Sequence, residues 1–116
     1  MAPSPFTIRT IECWPLDLAL TDPFVVATGQ LTVAQNVVVR LTLHGGAVGV
    51  GEAAPFPDIS GETRESTLHA LQRLAPLVLG QPATEWRRVA QGCDTAMPDA
   101  PAALCAIETA LLDALC

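Results

Sequence analysis

Apolar and polar residues alternate most regularly in the middle of the chain, from Val37 to His44. The pair Gly45-Gly46 follows, and a second apolar run ends at Glu52. This pattern is typical of a β-hairpin. If Gly45-Gly46 is a two-residue turn, Val39 lies opposite Glu52. The pattern therefore predicts that Glu52 closes the apolar face, where its carboxylate needs hydrogen-bond donors.

The residues before this hairpin predict one more strand and a long connection. From Phe6 to Leu20 the chain is rich in apolar and β-branched residues, and Pro15 interrupts it, which favours an edge strand with a bend. Between Thr21 and Gln35 the residues become small and polar around Asp22-Pro23, which predicts a loop of substantial length. We therefore expect three strands in all.

Helical signals follow the strands. Prolines punctuate residues 54–61 and predict a non-helical segment, after which Ser60 can cap a helix that ends at Gly80 and Pro82. Thr84 can cap a second, shorter helix. The residues expected on the buried faces of these two helices are Leu68, Leu71, Ala75, Val78, Trp86, Val89 and Ala90.

The last element begins near Pro101 and is apolar on almost every side, since only Glu108, Thr109 and Asp113 interrupt it. Such a pattern predicts burial on nearly all sides, which is more than a domain of this size can supply. No glycine, asparagine or basic residue closes its last turn. We therefore expect this helix to continue beyond Cys116 in a longer protein.

Composition narrows the class of protein. The chain has 116 residues, half of them hydrophobic, which suits one α+β domain. Its formal charge of −6 disfavours nucleic acid as a partner, and it has no apolar run of the roughly 18 residues that span a bilayer. With no secretion signal either, we expect a cytoplasmic protein. Its four cysteines show no C-x-x-C spacing and are expected to be buried free thiols.

Residues that could carry chemistry mostly have simpler explanations. His44 beside a turn and His69 on a helix are expected at the surface. The glycines between Gly45 and Gly51 lie inside a strand pattern, so they favour close packing of another element over phosphate binding. Lysine is absent and no carboxylates are spaced as a metal site, so the chain itself offers neither a lysine base nor a metal site.

Several motifs in order resemble the mandelate racemase and muconate lactonizing enzyme branch of the enolase superfamily. They are Thr21-Asp22-Pro23-Phe24, Asn36-Val37-Val38-Val39-Arg40, Gly49-Val50-Gly51-Glu52-Ala53, Gly61-Glu62-Thr63 and the apolar helix from Ala102 to Asp113. The resemblance implies a three-stranded antiparallel meander followed by a small helical bundle. Residues 1–100 would form a capping domain, and residues 101–116 would begin the helix that links it to a barrel outside this sequence.

The resemblance also assigns roles. Two loops, loop 1 (residues 22–31) and loop 2 (residues 54–61), would close over the mouth of the barrel and contribute specificity rather than catalysis. Barrel carboxylates would bind magnesium, and a base there would remove a proton next to a substrate carboxylate. No catalytic or metal-binding residue is then expected in this chain, and Glu52 would be structural. The residues expected to contact the substrate are Phe24, Thr28, Phe56 and Ile59; Phe24 and Phe56 fit loop anchoring equally well.

Within this branch, the sequence looks most like dipeptide epimerases, which act on pairs such as L-Ala-L-Glu. The likeness rests on Pro23-Phe24, Ala27-Thr28-Gly29 and the run from Gly51 to Pro57. Gly29 stands where some of these enzymes carry an arginine that holds an acidic side chain, so the second residue of the substrate stays open. The same scaffold serves muconate cycloisomerases, o-succinylbenzoate synthases and N-acylamino acid racemases. The full enzyme would be a homo-oligomer, and this chain alone would be inactive. The alternative to an enzyme lid is a non-catalytic binding module.

Overall fold

A computed structural model describes residues 3–26 and 29–116, without the side chains of residues 19–33 and of Asp58. Strands β1 (Ile8–Val26), β2 (Gly29–Leu43) and β3 (Val48–Ala53) form an antiparallel sheet in the order β1-β2-β3. Four helices follow: α1 (Pro57–Ser60), α2 (Arg64–Val78), α3 (Trp86–Ala96) and α4 (Pro101–Leu115). The expected α+β fold, a meander followed by helices, is confirmed.

The described residues of the stretch predicted as a loop, 21–26 and 29–35, form strand instead. Phe24 pairs with Leu31 and Val26 pairs with Gly29, after an irregularity that begins at Ala19. Valine and threonine residues on both sides favour extended backbone in this region. A proline is tolerated because β1 is an edge strand, where one missing N–H need not break a ladder. Loop 1 is therefore the far end of a long β1–β2 hairpin.

The β2–β3 register differs by one residue from the prediction. Leu41 lies opposite Gly49, and Val38 rather than Val39 accompanies Glu52. The cause is the turn, because the N–H of Leu43 donates to the carbonyl of Ala47 at 2.9 Å. A slip of one residue moves a side chain to the other face of the sheet. The prediction that Glu52 closes the apolar face is therefore wrong, and its side chain lies on the exposed face.

The core forms between the inner face of the sheet and the helices. The alternate β2 residues predicted from the sequence are buried there, and helix α4 lies directly on β3. A Cβ added to Gly49 or Gly51 would lie 2.0 Å from the carbonyl oxygen of Ala110 or Ala106 respectively. The prediction that these glycines permit close packing is confirmed. The buried small residues along α4 are Ala103, Ala106, Ala110 and Ala114.

Helix α4 is buried on one face only, which agrees with the expectation that a domain of this size cannot cover an apolar helix on all sides. Leu112 is 40% exposed, and Cys105 is also exposed. The sheet and the other helices reach only one side of α4. The carboxylate of Asp113 accepts a hydrogen bond from the N–H of Val50 at 2.8 Å, which fixes α4 to the free edge of β3.

The start of helix α2 also differs from the prediction. Residues 57–60 form the one-turn helix α1, because Pro57 occupies its first turn, where a missing N–H costs little. Thr63 rather than Ser60 caps α2, in a reciprocal capping box with Ser66. The predicted end is confirmed, since Gly80 has a φ of +81°. The buried face of α2 consists of Thr67, Ala70, Leu71, Leu74 and Val78.

The second predicted cap is also wrong. A short 3₁₀ turn, Ala83–Glu85, precedes α3, and the residue that caps α3 is Glu85, which makes no side-chain capping bond. Val89 and Ala90 are buried as predicted, and Trp86 is half-buried. Thr84 is therefore part of the turn and not a cap.

The cysteines follow the prediction only in part. All four are free, yet Cys105 and Cys116 are exposed, Cys13 is half-buried and Cys93 is buried. His44 and His69 are exposed as expected. Among the described residues, no helix is both long and apolar enough to cross a membrane.

Candidate functional site

Loop 2 forms one wall of a cavity of about 240 Å³, which the β1–β2 hairpin lines through Gln35. Phe56 has extended backbone directly before α1 and is half-buried in this wall. Its carbonyl accepts hydrogen bonds from the N–H groups of Ile59 and Ser60, each at 3.0 Å, which fold the loop into a helical turn. That turn leaves Ile59 67% exposed. The lining residues are Gln35, Pro55, Phe56, Pro57, Thr63, Arg64 and Glu65.

Loop 1 lies at the other end of the same hairpin. Phe24 belongs to β1 opposite Leu31, Gly29 is the first residue of β2, and Thr28 lies outside the described residues. Six residues of strand lead from Gly29 to Gln35, which is roughly 20 Å at the usual rise of a strand. The structure thus brings Phe56 and Ile59 together, and places Phe24 and Gly29 in a separate group.

An ion pair crosses from β1 to α2 beside this cavity. The guanidinium of Arg64 donates from Nη2 to Oδ1 of Asp17. The Arg64 side chain is only 16% exposed, whereas that of Asp17 is 64% exposed. The Nε of Arg64 is buried and has no partner among the described residues. Asp17 is thus the side chain that balances a mostly buried cation.

A second polar contact lies on the opposite face of the sheet. Nδ2 of Asn36 donates to Oε2 of Glu52. Asn36 is 7% exposed, so its amide needs such a partner. The predicted demand of Glu52 for a donor is thus met by a side-chain amide. Sequence reasoning missed both this contact and the ion pair because they join residues 16 and 47 positions apart, with no local spacing to signal them.

The described residues around loop 2 are suited to binding a ligand and to forming the walls of a cavity. Within the described part of the chain, no group of three or more His, Cys, Asp and Glu residues could hold a metal ion. Burial raises the pKa of the Cys93 thiol, and that of Cys13, above the ordinary value. A raised pKa reduces the thiolate fraction and therefore the nucleophilicity of these two residues. The described residues thus offer a half-buried aromatic ring, an exposed aliphatic side chain and a cavity.

A larger cavity of about 360 Å³ lies on the other side of α2. The carboxylate of Glu62 lines this cavity and accepts a hydrogen bond from the N–H of Ala102 at 3.0 Å. It therefore pairs one of the N–H groups that have no partner within the first turn of α4. Arg73 and Asp99 give its walls charges of both signs, and His69 also lines it. Glu62 therefore has a structural role at this cavity.

Residues 9–116 match the model of the mandelate racemase / muconate lactonizing enzyme, N-terminal domain. An aromatic dipeptide epimerase from Herpetosiphon aurantiacus is 46% identical over 111 residues, which are 96% of this chain and 31% of that protein. The chain therefore spans about a third of the length of this relative.

Solved structures give the same relationship. A mandelate racemase/muconate lactonizing protein from Herpetosiphon aurantiacus superposes with a TM-score of 0.92 and 46% identity, covering 97% of this chain and 31% of that one. A dipeptide epimerase from Enterococcus faecalis V583, complexed with Mg and the dipeptide L-Leu-L-Tyr, superposes with a TM-score of 0.88 and 27% identity, covering 94% of this chain and 31% of that one.

Proposed function

Because the chain belongs to the mandelate racemase / muconate lactonizing enzyme N-terminal domain family, we propose that it is the lid of a dipeptide epimerase. The observation that carries this proposal is 46% identity to an aromatic dipeptide epimerase over 96% of the chain. In this proposal, loops 1 and 2 close over a barrel domain outside this sequence. A cytoplasmic location and a homo-oligomeric enzyme stay predictions.

We infer that the second residue of the substrate is apolar or aromatic. The relative from Herpetosiphon aurantiacus acts on aromatic dipeptides, and the Enterococcus faecalis enzyme was crystallised with L-Leu-L-Tyr. Gly29 supplies no positive charge for an acidic side chain, whereas Ile59 and Phe56 offer apolar surface on loop 2. An apolar side chain gains free energy by leaving water for such a surface. An acidic dipeptide of the L-Ala-L-Glu type is the alternative that the experiment distinguishes.

The lid would contribute to the reaction by excluding water and by orienting the substrate. Closing Phe56 and Ile59 over the substrate removes water and holds the α-carbon in place for proton removal. In this proposal magnesium and the base belong to the barrel, which is consistent with the lack of any group of three or more His, Cys, Asp and Glu among the described residues that could hold a metal ion. A divalent ion in such an enzyme supplies stabilisation of negative charge next to the carbon that loses its proton.

A chimaera tests this proposal. Residues 1–116 replace the matched segment of the Herpetosiphon aurantiacus epimerase, and the product is incubated in D₂O with magnesium and dipeptides. We expect deuterium at the α-carbon of dipeptides with an aromatic second residue, and less exchange with L-Ala-L-Glu. The barrel without a lid and this chain alone are the controls, and both are expected to show only background exchange.

Three results would contradict the proposal. A folded chimaera that exchanges N-acylamino acids but no dipeptides would assign the lid to another enzyme of the branch. Exchange by the chain alone would show that it carries catalytic residues. A folded chimaera without exchange on any substrate would favour the non-catalytic binding module. Circular dichroism of the chimaera establishes folding before any of these results is interpreted.

A further inference from the structure

Contacts next to the ends of loop 2 hold both strands of the β1–β2 hairpin at the point where it extends beyond β3. On β1, Asp17 pairs with Arg64, which lies three residues beyond Gly61, the end of loop 2. On β2, Asn36 bonds to Glu52, which lies two residues before Ala54, the start of loop 2. The two contacts lie on opposite faces of the sheet, since Asp17 pairs with Gln35 and the side chains of adjacent residues alternate.

Each contact includes a group that is costly to leave unpaired. The Arg64 side chain is 16% exposed, and a mostly buried guanidinium without a counter-charge is destabilising. Asn36 is 7% exposed, and its side-chain amide loses a partner if Glu52 is removed. A movement of either loop that broke one of these contacts would leave a buried polar group unpaired and raise the free energy. The two contacts therefore favour conformations in which the hairpin and loop 2 stay together.

Arg64 is also fixed on its own side. It is the first residue of α2, directly after Thr63, whose hydroxyl accepts from the N–H of Ser66 at 3.0 Å. Leu71 and Leu74 anchor the next turns of this helix in the core. A rotation of the hairpin is thus resisted by the core through Asp17 and Arg64.

We propose that the Asp17–Arg64 ion pair and the Asn36–Glu52 hydrogen bond couple the hairpin that carries loop 1 to loop 2, so that the two loops move as one lid. Asp17 and Arg64 are then positioning residues for substrate recognition. The catalytic consequence rests on the proposed function, whereas the coupling itself is a property of this chain. Exposed ion pairs alone contribute little, and the burial of Arg64 is what makes this one matter.

Hydrogen–deuterium exchange of the full chain tests the coupling. Asp17→Ala is made on the hairpin and read at the backbone N–H groups of Phe56 and of residues 58–61. Arg64→Met is made on α2 and read at residues 29–34. We expect exchange at each remote segment to rise roughly three- to tenfold, the range expected when one partner of a partly buried charged contact is lost. The double charge swap, Asp17→Arg with Arg64→Asp, is expected to restore slow exchange at both segments.

The ion pair between Arg88 and Glu85, whose side chains are 65% and 48% exposed, joins α3 to its preceding turn and provides an exposed control. Arg88→Met removes an arginine–carboxylate pair that includes no residue of either loop, and it is expected to leave exchange in both loops unchanged. Slow exchange at Leu41 in the central strand shows that each variant is folded. The coupling is refuted if folded Asp17→Ala accelerates exchange only in the hairpin, or if the charge swap restores neither segment.

The chimaera separates this inference from the proposed function. If both hold, Asp17→Ala raises KM for the dipeptide more than it lowers kcat, because a loosened lid binds substrate less well and leaves the barrel chemistry in place. The charge swap is expected to recover KM. Coupled exchange in a chimaera that is inactive on dipeptides would overturn only the proposed function. Uncoupled exchange with full activity would overturn only the inference.

Discussion

Gly51 lies where helix α4 makes one of its closest approaches to the sheet, so a single methyl group there tests the packing of the fold. A Cβ would lie 2.0 Å from the carbonyl oxygen of Ala106, which is backbone and cannot rotate away. Gly51→Ala is expected to lower the free energy of unfolding by about 1–3 kcal/mol, as overpacking usually does. Urea denaturation measures this change.

Gly92 provides the control for that substitution. It lies in helix α3, and an added Cβ would meet no atom within 4 Å. Gly92→Ala is expected to raise the free energy of unfolding by roughly 0.5–1 kcal/mol, because alanine is a better helix former. Equal effects of the two substitutions would contradict the close approach of α4 to β3.

The cysteines allow a second prediction at the level of single residues. Alkylation at mildly alkaline pH is expected to modify exposed Cys105 and Cys116 quickly and buried Cys93 slowly. Burial raises the pKa of Cys93, so at a given pH it holds less thiolate. Mass spectrometry of the peptides gives each rate, and the urea-unfolded chain, where the residues react alike, is the control. Equal labelling of Cys93 and Cys105 in the folded chain would contradict the burial.

The same pKa shift fixes a pH dependence of stability. The folded pKa of Cys93 is above that of the unfolded thiol, so the folded state takes up the proton more tightly. Its contribution to stability is complete below the unfolded pKa and is lost as the pH rises through the folded pKa. Cys93→Ser replaces this thiol by a hydroxyl that does not titrate, and should flatten the alkaline limb of the stability curve.

Helix α2 shows how a cap can be assigned to the wrong residue. Both Ser60 and Thr63 precede the helix, and the prolines before Ser60 made it the natural candidate from sequence. Thr63→Ala is expected to cost about 1 kcal/mol, because it removes the bond to the N–H of Ser66. Ser60→Ala is the matched control and should change the free energy of unfolding by only a few tenths of that. Similar losses in urea denaturation would contradict the assignment.

At the level of elements, periodicity predicted which residues of one strand are buried better than it predicted which residues of two strands pair. The alternation in β2 identified the buried Val37, Val39 and Leu41 correctly. It could not set the partner of Glu52, because the register depends on whether His44 joins the turn. The extension of the hairpin beyond Ala19 was also missed, since small and polar residues there resemble a loop. The Asp17–Arg64 contact required both the true register and the start of α2.

For the molecule as a whole, the family motifs predicted the order of elements, and the packing of α4 needed the structure. Its composition indicated a helix too apolar for this domain to cover, and within this chain the packing against the sheet buries one face and leaves Leu112 exposed. The boundary predicted at residue 100 stays a prediction, although α4 packs on β3 as part of the same core. An apolar pattern shows that a face can be buried without showing by what.

The proposal assigns magnesium to the barrel and not to the lid, and this division gives the last prediction. A ligand that binds the folded state raises its stability in proportion to the logarithm of its concentration over Kd. Since no cluster of His, Cys, Asp and Glu among the described residues could hold an ion, millimolar magnesium or EDTA should leave the melting temperature of this chain unchanged within about 1 °C. In the chimaera, EDTA should abolish deuterium exchange and added magnesium should restore it. A magnesium-dependent shift in the melting temperature of the chain alone would place a metal site in the lid and contradict this division.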